Sequence, residues 1–401
     1  MFTKSLLLSL IALFIGASLN AQTWKPAGNT AFAPTLLYGF AKITMGSDGT
    51  LWAAVNNKST ASNLEVYRLM KDSAAWVKVG RGAMYDNAYN GSIVVDSKNT
   101  PWVASKGSIF YLQGKKWTQT FAGTYWKDGD RHFAKGYELG NFCTMAADSK
   151  GNVYVTSDYY GGLYQKDDKL AANNWDASVY DASRLVSFFP MGTDKSEYGI
   201  GYKVANNYAG NPVVKIVNDL LYFAYDEFYL TQHWGFHVSK WNGTGWTDLG
   251  DFGSKSNANG GFSEGAAELL DVAISKSGKV FVVYREGSGA DATRQWKASA
   301  MIFNGTDDWT QMGKRGFSAG TTEAFPLSAA FDSKETPYVC YADEENGTVN
   351  VMKFTGGQWV KVGGDIAQGA SPHMIIGPDD TIYVAYREKG GTGSITVKKF
   401  K

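Results

Sequence analysis

Two short stretches hold most of the residue types suited to ligand chemistry. Tyr125, Trp126, Asp128, Asp130, Arg131 and His132 form one, with Tyr159 and Tyr160 on a later loop; Asp226, Glu227, Tyr229, His233 and Trp234 form the other. Aromatic rings stack on pyranose faces, while Arg and His address hydroxyls or a carboxylate, so both stretches suit a sugar. A lyase acting on a uronate polymer would use the same types differently. Arg131 would neutralise the carboxylate, and His132, His233 and Tyr160 would supply base and acid, with Arg184 as a further cation. A glycoside hydrolase needs two carboxylates flanking the bond, and Asp226 and Glu227, adjacent in an extended chain, point different ways. Taken singly, each of these side chains is more readily explained as a solvated or loop-packing residue than as part of a site.

Metal and cofactor chemistry has less support. The four histidines are His132, His233, His237 and His373, and only His233 and His237 have a spacing used by metal ligands. Trp234 to His237 reads as strand, which separates them. No metal site and no cofactor is expected, although an Asp-rich turn leaves room for a structural Ca2+. No Gly-rich loop is placed to open a helix on a phosphate, and no Ser-His-Asp arrangement is recognisable.

Charge and leader narrow the setting. A formal net charge of +1 gives no general attraction to nucleic acid or to an anionic membrane. Lys4, the apolar run Leu6 to Ile15 and the small, polar end Gly16 to Gln22 have the layout of a secretory signal peptide, cleaved near Ala21. The run is short for a membrane span. The expectation is a signal peptide over 1–21 and one domain over 22–401, monomeric, exported to the periplasm or beyond, without membrane insertion. Cys143 and Cys340 sit in strands of well-separated repeats, so two buried free thiols are expected.

Those clusters need a scaffold, and the chain repeats one. The segment 324–363 divides into four short strands, and a four-stranded sheet of this size needs like neighbours to cover its faces. An aromatic followed by small or β-branched residues marks each second strand: Trp52-Ala53-Ala54, Trp102-Val103-Ala104, Tyr154-Val155-Thr156, Tyr222-Phe223-Ala224, Phe281-Val282-Val283, Tyr338-Val339-Cys340 and Tyr383-Val384-Ala385. Polar turns such as Asp148-Ser149-Lys150-Gly151 and Asp332-Ser333-Lys334 precede most of them. A Trp opens each fourth strand, at Trp76, Trp117, Trp175, Trp246, Trp309 and Trp359; the seventh copy lacks one, and Trp24 to Gly28 resembles Trp359 to Gly363. The predicted fold is all-β, a seven-bladed β-propeller closed by the N-terminal strand completing the last blade. The recurring Trp residues are expected to pack blades together.

The repeat resembles that of secreted β-propeller proteins common in Bacteroidota, a likeness that covers the mature chain and implies a fold and an export route without one activity. Met45 to Trp52 is also similar to the Asp-box of sialidases. Leu51 stands in place of its Thr, however, and the turn joins first and second strands, so it reads as a propeller turn.

In such a fold, second-to-third and fourth-to-first connections share one face. The long ones, 121–140, 176–211, 251–265 and 226–235, all belong to blades two to five and contain both clusters. The leading expectation is a non-catalytic propeller binding carbohydrate or another surface polymer there, through Tyr125, Trp126, Arg131, His132, Tyr159, Tyr160, Tyr229, His233 and Trp234. A polysaccharide lyase and a protein-binding scaffold are the alternatives. The second-strand exits Tyr284-Arg285-Glu286, Tyr341-Ala342-Asp343-Glu344 and Tyr386-Arg387-Glu388 suggest inter-blade ion pairs. His373, at the innermost strand of the last blade, and His237 are assigned structural roles.

Overall fold

The computed structural model describes residues 22–34, 39–57, 63–81, 84–85, 91–105, 108–122, 127–128, 131–132, 143–157, 184–190, 201–202, 208–228, 234–241, 246–250, 267–287, 292–322, 327–390 and 393–401. Every regular element among them is a strand, and the strands form antiparallel sheets in a propeller arrangement. The first strands of successive repeats are Ala41–Met45, Ser92–Val95, Cys143–Ala147, Tyr208–Val217, Ala267–Ile274, Ser328–Phe331 and Ala367–Ile376. Each lies against the next, and the last lies against the first, so they close a circuit around an axis.

Four of the expected four-stranded sheets stand separately, within residues 92–122, 143–202, 208–248 and 267–311. The others depart from that plan. Met84–Tyr85 adds a fifth strand to the sheet of residues 41–78 by pairing with Asn63–Leu69. Residues 328–400 and the N-terminal strands form one nine-stranded sheet, because Thr348 and Val349 pair with Gln368 and Ala367. The short link from Val362 to Ile366 causes this, since both of its ends bond to Thr348–Thr355 through Val351 O and Val349 O.

The third sheet corrects the repeat alignment. Its third strand is Arg184–Pro190 and its fourth is Gly201–Tyr202, so the fourth strand does not begin at Trp175, which lies outside the described residues. The supposed 176–211 loop therefore contains sheet. Phe188 and Phe189, strand-favouring aromatics, pair there with Tyr154 and Val153.

Alternation along each second strand places the core between sheets. Val282 and Tyr284 pack with Val213, Tyr222 and Ala224 on one side, while Phe281 and Val283 pack with Ala329, Val339 and Tyr341 on the other. Both faces are buried, hence the near-continuous apolar run at these positions. The last interface follows the same rule: Ala385, Ile395 and Val397 pack against Ala41, Ile43 and Ala53. Cys340, also in a second strand, is a fully buried free thiol whose pKa burial pushes up; the Cys143 side chain is not described.

Three sets of hydrogen bonds lace sheet to sheet. On the outside, Trp76, Trp117, Trp309 and Trp359 donate from Nε1 to Ala27 O, Val79 O, Leu249 O and Met312 O of the preceding repeat, at 2.7–3.0 Å. Trp24 does the same to Val362 O at 3.1 Å, while Lys25 and Pro26 pair with Lys399 and Lys398. The N-terminal strand thus occupies the fourth-strand place beside the C-terminal strand. At the turns, the backbone N–H groups of Ser47, Ser149, Ser277 and Ser333 donate to side chains of Asn99, Asp219, Glu335 and Asp380 of the next repeat. At the axis, Ser92 Oγ, Thr144 Oγ1, Asp271 Oδ2, Ser328 Oγ and His373 Nδ1 accept the N–H of Met145, Val214, Ala329, Met374 and Ile43 respectively, each on the following first strand.

Candidate functional site

Second and fourth strands of an antiparallel sheet run in the same direction, so the connections that leave them emerge at one end of every sheet. The described residues of both clusters lie on connections that leave second or fourth strands. Arg131 and His132 form one strand of a two-stranded hairpin, paired with Asp128 and Lys127. Asp226, Glu227 and Trp234 also sit in strands: Asp226 opposes Phe236, Glu227 opposes Gly235 and Phe228 opposes Trp234. Both ends of the expected loop 226–235 therefore belong to a hairpin ladder extending the sheet. Tyr125, Trp126, Asp130, Tyr159, Tyr160, Tyr229 and His233 lie outside the described residues, and Arg184 pairs with Tyr202 in the third sheet.

On the neighbouring repeats the same end is firmly built. Glu286, 1% exposed at the exit of its second strand, accepts two bonds from Arg315, from Nε at 2.9 Å and Nη2 at 2.6 Å, and a third from Ser299 Oγ. Asp343 accepts from Gly320 N at 3.1 Å and from Asn346 Nδ2 at 3.0 Å. These exit carboxylates tie down the connections to the next strand or repeat.

Beside them lies a residue that the repeat pattern did not single out. Trp296, on the second-to-third connection, has φ of 63°, a left-handed conformation uncommon for a bulky side chain. Its backbone is held from two sides, by Trp296 N donating to Glu286 O and Thr322 N donating to Trp296 O, both at 2.8 Å. The Arg285 guanidinium lies 4.6 Å from the centre of its half-buried ring. A signal existed in the sequence: Trp296, like Trp126 and Trp234, falls outside the column of fourth-strand Trp residues.

A second group of chemically distinctive side chains surrounds the axis. Lys42, Lys215, Asp271 and His373 come from four different first strands and act on one another electrostatically. Lys215 Nζ pairs with Asp271 Oδ1 at 3.0 Å. Burial draws the Lys42 ammonium down to about 8; the Lys215 charge adds to this and Asp271 partly offsets it. His373 is held well below the ordinary imidazole range by burial, and further by Lys42 and Lys215. Its expected structural role is visible in its bond to Ile43 N, and it is neutral there. His237 is buried and stacks on Tyr225 with ring centres 5.0 Å apart. Among the described residues no group of three or more His, Cys, Asp or Glu could hold a metal ion.

No family model matches the chain, and no curated protein matches it. Solved structures do. An oligogalacturonate lyase in complex with manganese is similar with a TM-score of 0.53 and 11% identity, over 93% of this chain and 89% of that one. A lectin from Aleuria aurantia in complex with a fucosyl-GlcNAc sugar has a TM-score of 0.46 and 10% identity, over 84% of this chain and 98% of the lectin. A Trypanosoma rangeli sialidase in complex with the inhibitor DANA has a TM-score of 0.47 and 10% identity over 95% of this chain, which spans 58% of the sialidase. At such identities the likeness concerns the fold alone.

Proposed function

We propose that this chain is an exported, non-catalytic recognition propeller of seven blades that binds carbohydrate or another surface polymer at the end of its sheets where second and fourth strands exit. The seven-blade reading treats the nine-stranded sheet as two blades joined through Thr348 and Val349, and it is supported by the closed circuit of first strands and the matching Trp bonds. The charged, apolar and small segments of residues 1–21 support export, and we take the protein to act as a monomer outside the cytoplasm.

The observation that carries the binding reading is the Arg285–Trp296 stack, at the sheet end that also bears Arg131, His132 and Trp234 on paired strands. Aromatic rings and fixed guanidinium groups on a rigid frame are what a polyhydroxylated ligand requires. Tyr125, Trp126, Tyr159, Tyr160, Tyr229 and His233 complete the proposed surface. Glu286, at this end, is committed to Arg315 and Ser299 and is not assigned a role as acid or base. Retention in polysaccharide-containing gels tests the reading. Trp296→Ala and Trp234→Ala should each weaken retention by about tenfold, the loss of one stacked ring. Unchanged retention in both folded variants would refute the assignment of this surface.

A further inference from the structure

The first strands present one equivalent position to the axis, occupied in turn by Lys42, Ser92, Thr144, Val213, Asp271, Ser328 and His373. Five of these side chains accept the N–H one place beyond the equivalent position on the next first strand. Val213 and Lys42 cannot, the first having no polar atom and the second being a donor only. The gap at Val213 is filled locally, because Asp271 turns Oδ1 to Val272 N at 2.9 Å while Oδ2 takes Ala329 N. At Lys42 no such repair exists among the described residues. Its ammonium has no hydrogen bond or ion pair among them, and Lys42 and His373 are only partly buried, so these groups line the axis where a small solute can meet them.

A second ammonium close to Lys215 favours a counter-charge beside it. The carboxylate of the group is Asp271, already engaged by two backbone N–H groups and by Lys215. His373 spends Nδ1 as an acceptor from Ile43 N, which leaves the proton of the neutral ring on Nε2 as a further donor. Two ammonium groups, one carboxylate and one neutral imidazole leave a single positive charge in excess. Lys42 and His373 Nε2 supply most of the vacant bonding capacity there, and both are donors.

We propose that the axis binds a small oxyanion, a carboxylate or phosphate-type group, held chiefly by the Lys42 ammonium, with the Lys215 ammonium and the neutral His373 N–H as the further donors of the cluster. The site is separate from the proposed carbohydrate surface and does not depend on it. It takes either a free anion or the acidic group of a sugar.

The test follows the ring Cε1–H of His373 by NMR in the folded chain, with the signal identified by its loss in His373→Gln. Sodium acetate, sodium glucuronate and sodium phosphate are titrated near neutral pH at constant ionic strength set with sodium chloride. The proposal expects a saturable shift with at least one of them, weakened at least about tenfold in Lys42→Met, as loss of a charge-assisted hydrogen bond implies. Equal binding of acetate and glucuronate would assign the site to the anionic group alone, and tighter glucuronate binding would assign it to a sugar acid; either supports the proposal. No saturable shift with any of the three, or an undiminished one in Lys42→Met, overturns it. Should Lys42→Met fail to fold, the wild-type ammonium titration decides. Saturating anion must move it upward from about 8, and an unmoved titration overturns the proposal. Glycan retention of Lys42→Met, measured in parallel, separates failure here from failure of the carbohydrate reading.

Discussion

His373 Nδ1 accepts the backbone N–H of Ile43 at 3.2 Å, joining the innermost strand of the last repeat to that of the first across 330 residues of sequence. A ring closed between distant parts of a chain depends on such bonds, which here add to the pairing of the short N-terminal strands, the bonds of Trp24 and Ala31 to Val362 and Thr396, and side-chain packing. Replacing His373 with Phe keeps bulk, removes the acceptor and leaves the Ile43 donor unsatisfied. The expected cost is about 1–3 kcal/mol in chemical denaturation, and His373→Asn, which restores an acceptor, should recover part of it. Equal stability of wild type and His373→Phe would show that this bond does not close the ring.

The Trp lacing makes a sharp distinction between glycines. Gly80 has φ of 84°, and a Cβ there would meet Trp117 Nε1 at 2.2 Å; Gly114 has φ of 62° with nothing within 4 Å. Gly114→Ala should therefore cost only the conformational penalty, about 1–2 kcal/mol. Gly80→Ala adds overpacking and displaces the indole from Val79 O, for a total of about 3–5 kcal/mol. Thermal melts of the two variants compare them directly, and a smaller loss for Gly80→Ala would contradict the account.

Glu286 and Arg315 form a buried bidentate pair at the exit of a second strand. Glu286→Ala should destabilise by about 3–5 kcal/mol, because it removes both bonds that the guanidinium makes to this buried carboxylate and the partner of Ser299 Oγ. The double variant Glu286→Ala, Arg315→Met should lose less than the sum of the single changes. Additive losses in urea denaturation would mean that the pair is not coupled.

Lys42 makes a prediction about pH. Its ammonium has a pKa lowered from 10.5 to about 8 by burial and by Lys215, so between these values the unfolded chain holds more protons than the folded one. Stability from this group therefore rises with pH across that window and is complete above it. The wild type minus Lys42→Met difference in denaturation midpoint should increase from pH 8 to 10.5; a flat difference would place Lys42 in ordinary solvent.

Much of the frame was legible in sequence because it repeats. Trp76, Trp117, Trp309 and Trp359 mark fourth strands, and the likeness of Trp24 to Gly28 anticipated a strand that now pairs with Lys398 and Lys399. Where repetition lapsed, alignment failed. The third sheet closes with Gly201–Tyr202, a strand without a Trp that follows a long insertion, and Trp175 drew the reading away from it. The axial group was hidden for a different reason. Lys42, Asp271 and His373 occupy equivalent positions but share no residue type, so only the closed ring brings them together. Trp296 could be noticed as an out-of-column Trp, whereas its contact with Arg285 depends on how a connection folds back.

The most direct test of the proposed function places the purified protein without residues 1–21 with a panel of neutral and acidic polysaccharides and follows two signals together, retention in affinity gels and ultraviolet absorbance from unsaturated products. The account predicts retention on at least one polymer with no absorbance gained over time. Steady accumulation of unsaturated ends would contradict it and make Arg131, His132, Tyr160 and His233 the first residues to change in a lyase, while silence in both signals would contradict carbohydrate recognition and turn the search to protein partners.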